Sequence, residues 1–151
     1  MAAAVLPVDD TGDVSYDATG KIVEGADLKT AVFLSLFLDA PARDDDVIPA
    51  GSLRRGFWAD AYSTTGDVTG SRLWLLDRAK VVASSLVDAK TYADDALAWM
   101  LADGVARTVS VTAERLIVST ETQGILLRVV IYRPDGTRCA WAWDALSAEE
   151  V

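Results

Sequence analysis

Apolar and polar positions alternate with two different periods along this chain, and the change between them falls near residue 105. From Leu28 to Leu38 the sequence LKTAVFLSLFL places Leu28, Ala31, Val32, Ser35, Leu36 and Leu38 near helical spacing, with Asp27 available as an N-cap. A buried strand is compatible with the same short run; the spacing and the cap favour a helix. A second short helix is predicted after Gly70, in SRLWLLDRAK, capped by Ser71 and apolar through Leu73, Trp74, Leu76 and Ala79. The clearest helix is SSLVDAKTYADDALAWMLADG. Its stripe is Leu86, Ala89, Ala93, Ala96, Leu97, Met100 and Leu101. Ser85 with Asp88 resembles a capping box, and Gly104 stands at the C′ position.

Beyond Val105 the period is two. ARTVSVTAE alternates Val109 and Val111 with Thr108, Ser110 and Thr112, and LIVSTE, GILLRVVIYR and TRCAWAW follow. Arg133-Pro134-Asp135-Gly136 is a tight-turn signature between the last two strands. Helices followed by an antiparallel meander predict a two-layer α+β domain spanning 1–151. Residues 1–26 read as an N-terminal hairpin extension with a turn at Ala18-Thr19-Gly20. Residues 39–70 read as a long loop, of a length that in a compact domain often carries function.

Composition narrows the chemistry. The chain has 151 residues, 51% of them apolar, so a large core is available. A formal charge of −9, from 23 acidic and 14 basic residues, disfavours nucleic-acid partners. The single Cys139 forms no internal disulfide, and MAAAVLPVDD lacks the features of a signal peptide. The apolar run Ala31–Leu38 is too short to span a bilayer, so no membrane partner is expected and a soluble, cytosol-made chain is. No histidine is present, which excludes Ser-His-Asp and Cys-His catalysis and His-type zinc sites. No cofactor and no catalytic residue is assigned.

Several clusters have a bland and a sharp reading. Asp44-Asp45-Asp46 could hold a cation, but lacks EF-hand spacing and reads as a solvated loop. Gly66–Ser71 lacks a Walker or dinucleotide pattern and reads as loop and cap. Asp94 and Asp95 diverge by about 100° on a helix and read as a solvated face. Trp141 and Trp143 share one face of the last strand, either as sheet core or as an exposed aromatic patch; that strand's edge could also pair with another chain. In SLRRGFWAD, Arg54, Arg55, Phe57 and Trp58 are of the types enriched at interface hot spots. They serve equally as a loop anchor, with an arginine paired to a carboxylate such as Asp60. Arg72, Trp74 and Arg78 complete the candidate protein interface.

The order of LKTAVFLSLFLDAPARDDD, RRGFWAD, GSRLWLLDRAK, ADDALAWMLADGVARTVSV and LRVVIYRPDG resembles the Mu-like phage tail proteins, small baseplate subunits of contractile-tailed phages. It runs from about Leu28 to Gly136. Phe57 stands where that family usually has Trp. The family is similar in turn to central baseplate wedge proteins. Their Glu-Pro-Arg step before the first long strand is replaced here by Asp103–Arg107. The resemblance implies a non-enzymatic subunit of the inner wedge. Its implied partners are hub and wedge subunits and the first sheath ring, contacted through loop insertion and sheet-edge pairing. It also implies about six copies per virion and assembly in the host cytoplasm. Two other readings remain open at this point. One is a tail-associated, carboxylate-based cell-wall hydrolase, and the other a small cytosolic adaptor.

Overall fold

The computed structural model describes residues 27–77, 80–119 and 122–151. The expected N-terminal hairpin of residues 1–26 lies outside them. Two helices, α1 (Asp27–Phe37) and α2 (Ala83–Ala102), cover one face of a three-stranded sheet, β1 (Thr108–Ile117), β2 (Gln123–Tyr132) and β3 (Arg138–Asp144). The strands run antiparallel in the order β1-β2-β3, a meander, so the α+β expectation holds.

The sheet follows from its alternation. Ile125, Leu127, Val129 and Ile131 of β2 all point into the core, while Arg128 and Tyr132 face outward. Register places Ala113, Leu127 and Trp143 in one row across the sheet, and Val111, Val129 and Trp141 in the next. Each buried aliphatic side chain in such a layer contributes about 1.5–3 kcal/mol. LIVSTE is not a strand of its own: Leu116 and Ile117 end β1. The turn after β2 forms as expected, with Gly136 at φ +88 and its N–H donating to Arg133 O at 3.0 Å.

Leu28, Val32, Ser35 and Leu36 of α1 are buried, which settles that segment as helix. On α2 the buried positions are Ser85, Ala89, Ala93, Leu97 and Met100. The predicted stripe is therefore corrected at one end. At 100° per residue Leu101 lies about 100° from the centre of the buried arc, and it is 48% exposed. The cap is corrected too. Ser85 is the third helical residue, and its Oγ accepts the Val82 N–H at 2.8 Å; Val82 at the N-cap has no side-chain acceptor to return the bond. Gly104, at φ +70, ends the helix as expected. Trp99 Nε1 donates to Ser35 Oγ at 3.0 Å and ties the two helices together.

Between α1 and α2, residues 39–70 form a loop whose ends are joined. Ala40 N–H donates to Ser71 O and Ser71 N–H to Leu38 O, both at 2.9 Å. Gly70, at φ +94, permits this closure, because a Cβ there would lie 2.3 Å from Leu38 O. The loop contains one 3₁₀ turn, Trp58–Tyr62. Among the described residues of the predicted second helix there is a single 3₁₀ turn, Leu73–Leu76, and Ala79 lies outside those residues. Leu73, Trp74 and Leu76 are buried in it, and Ser71 Oγ accepts the Leu73 N–H at 3.1 Å.

Candidate protein interface

Arg72 leads into the short turn that plugs the core, and its guanidinium is turned inward with only 10% of the side chain exposed. Nη1 donates to both Asp46 oxygens at 2.8 and 3.0 Å, and Nη2 to Asp95 at 2.8 Å. The Tyr92 ring lies beneath it, 4.6 Å from Cζ. Asp46 also accepts the Arg43 N–H at 2.7 Å, and Arg43 Nη2 reaches Asp95 at 3.1 Å. Burial alone would push the Asp46 carboxyl up. The Arg43 N–H and the Arg72 charge outweigh it and hold the group below its ordinary value. Arg72 itself is held above its usual value: burial works against its charge, and Asp46 and Asp95 more than restore it. This junction fastens the loop to α2.

Two sequence readings change here. Asp46 is not solvated, since its side chain is 8% exposed and fully engaged. Asp95 is not part of a merely solvated face, while Asp94 pairs with Lys90 on the helix surface. A signal existed: Tyr92 and Asp95 are three residues apart and share one face of α2. Nothing in the sequence alone pointed that face at Arg72.

The two loop arginines divide their roles. Arg55 Nη1 donates to Asp39 at 2.8 Å, Nη2 lies 3.6 Å from Asp77, and Cζ sits 4.5 Å from the Trp74 ring centre. Arg54 donates to the carbonyls of Ala42 and Arg43 and pairs with the exposed Asp44 at 3.1 Å. The expected pairing with Asp60 is corrected. Asp60 instead accepts the Thr69 N–H at 2.8 Å and pins the loop's second half. Trp74 is an interior residue whose Nε1 donates to Ala40 O at 2.8 Å. A cleft of about 170 Å³ lies beside the Arg55–Trp74 stack and is lined also by residues 145–148.

Phe57 is half-buried and Trp58 is 73% exposed, so Trp58 is not an anchor. The rings of Phe57, Trp58 and Tyr62 form a ladder with centroid separations of 5.8 and 6.2 Å. Tyr62, 81% exposed, was not singled out by the sequence; it closes the 3₁₀ segment that Trp58 opens.

Trp143 is core, 2% exposed and edge-on to Phe37, and Trp141 is half-buried and stacked on it at 6.2 Å. The patch reading of this pair is therefore set aside. The outer edge of β3 is covered in part by the chain's own end. Asp144 N–H donates to Glu149 O at 2.8 Å and Val151 N–H to Ala142 O at 3.0 Å. The Asp144 carboxylate fastens that turn by accepting from the Ile125 and Leu146 N–H groups and the Ser147 hydroxyl. Among the described residues, no backbone hydrogen bond occupies the outer edge at Arg138–Ala140. Arg78 lies outside the described residues. Among those described, no group of metal-ligating side chains occurs and no helix is long and apolar enough to cross a membrane.

Comparison with known proteins gives one consistent result. Residues 28–138 match the family described as phage protein GP46. The baseplate protein gp46 of Escherichia phage Mu is 38% identical over 144 residues, covering 94% of each chain. The Mu-like prophage FluMu protein gp46 of Haemophilus influenzae is 38% identical over 110 residues, 73% of this chain and 71% of the relative.

Proposed function

The chain belongs to the phage protein GP46 family, and on that premise we propose that it is a structural subunit of a phage tail baseplate. The observation that carries the proposal is the likeness to the Mu baseplate protein across nearly the whole of both chains. In finer detail, the subunit belongs to the inner wedge of a contractile tail. There it joins hub and neighbouring wedge proteins to the first sheath ring, about six copies per particle, after assembly in the host cytoplasm. The architecture supports an assembly role. Among the described residues, the two-layer body has an unpaired sheet edge at Arg138–Ala140 and a fastened loop bearing exposed aromatics.

The role is non-enzymatic in this reading. Asp46 and Asp95 converge on one guanidinium, and Asp46 is held below the ordinary carboxyl range. A glycosidic general acid requires the opposite shift.

Mass spectrometry of purified tails tests the proposal, with a deletion strain alongside. The chain is expected in the particle, and its loss is expected to leave tails without a complete baseplate. Absence from purified tails, with normal tails forming without it, overturns the reading.

A further inference from the structure

The aromatic ladder of the loop stands on a hydrogen-bonded 3₁₀ segment. Trp58 and Tyr62 are the first and last residues of the 3₁₀ turn, with rings edge-on at 75°. Ser63 N–H closes that turn on Asp60 O at 3.0 Å, and Asp60 holds Thr69 at 2.8 Å. The loop ends are joined at Asp39 and Ser71, and Arg72 clamps Asp46 to α2. A preorganised ridge of this kind loses little side-chain freedom on docking.

Its charge is equally defined. Residues 57–70 contain Asp60 and Asp67 and no Lys or Arg. The arginines just before them pair within the chain, Arg54 with the exposed Asp44 and the partly shielded Arg55 with Asp39 and Asp77. The ridge segment therefore offers two exposed π faces and an exposed carboxylate at Asp67, with no Lys or Arg of its own. A second copy of a chain of charge −9 matches it poorly, and so does an anionic lipid surface.

We infer that the Phe57–Trp58–Tyr62 ridge docks into another protein of the same particle, on a face with an apolar pocket rimmed by Lys or Arg. Trp58 fills the pocket, and the partner's cations lie over the ring faces and beside Asp67. This rests on the reading of the chain as a baseplate subunit and adds the chemistry of one partner face.

The test uses assembled particles. A photoreactive benzoylphenylalanine is placed at Tyr62, and the cross-linked peptide is sequenced. In parallel, the full-length variants Trp58→Ala, Tyr62→Ala and Asp67→Lys compete with wild type for incorporation. The expected cross-link is to one different particle protein, in an apolar segment flanked by Lys or Arg. Trp58→Ala is expected to lower incorporation at least about tenfold, with melting within about 2 °C of wild type. Asp67→Lys should lower it too. A cross-link to a second copy of this chain, to lipid or to an acidic segment overturns the inference. So does normal incorporation of Trp58→Ala, or improved incorporation of Asp67→Lys. If wild-type chain is itself absent from particles, the baseplate reading fails along with it; if present while the variants incorporate normally, only the ridge assignment fails.

Discussion

Arg72 with Tyr92 and Trp58 with Tyr62 use similar residue types for opposite ends. In the first, a guanidinium is enclosed by two carboxylates and an aromatic ring, and almost nothing of it meets solvent. In the second, two rings stand on a tightened turn with most of their surface bare. The first junction holds the loop, and the second is what the loop holds out. Between them Arg55 on Trp74 is intermediate, half-shielded and bridging Asp39 and Asp77. Arginine and aromatic content therefore says little about role until the neighbouring carboxylates are located.

Removing the clamp should have the largest effect. Arg72→Ala leaves the shielded Asp46 carboxylate with only the Arg43 N–H and the more distant Arg43 charge, so a loss of about 3 kcal/mol, the low end for breaking a buried pair from one side, is expected. Urea unfolding monitored by tryptophan fluorescence measures it. A loss under 1 kcal/mol would mean that the loop is not fastened through this residue. Gly70→Ala attacks the same closure from the backbone. It drives a Cβ against Leu38 O and forces a side chain to φ +94, so a loss of about 3 kcal/mol is expected by the same measurement.

The clamp should also be acid-sensitive. Asp46 has a folded pKa below its unfolded value, so its contribution is complete above about pH 4 and fades as pH falls through the folded value. The stability gap between wild type and Asp46→Asn should be constant from pH 7 to 5 and close below pH 4. A gap that widens on acidification would show that burial, not Arg72, dominates this carboxyl.

The same contrast explains what could be read from the chain. Helices α1 and α2, the meander and the Arg133–Gly136 turn were legible because each follows from local periodicity or turn chemistry. The face of α2 was legible to within half a turn, missing at Leu101, because the packing arc is set by what the helix meets. Asp46 was read as solvated because a run of three aspartates carries no mark for the one that turns inward. Its partner lies 26 residues away, and Asp95 is 23 residues from Arg72 in the other direction. Trp58 and Trp74 are alike as letters, and only the fold separates the exposed ring from the one bonded to Ala40.

The mildest effects on stability belong to the exposed residues. Arg55→Ala gives up a partly shielded ion pair and its contact with Trp74, for about 1 kcal/mol. Arg54→Ala gives up one exposed pair, for about 0.5 kcal/mol or less. Trp58→Ala should change unfolding by no more than about 0.5 kcal/mol, because the ring is 73% exposed and its contacts are other loop rings. That small number sharpens the contrast most. A large aromatic can face water at little cost to the monomer when the backbone beneath it is held by Asp60, Gly70 and the Arg72 clamp. A Trp58→Ala loss above 2 kcal/mol would instead place that ring among the residues that hold the loop, and the division between clamp and ridge would collapse.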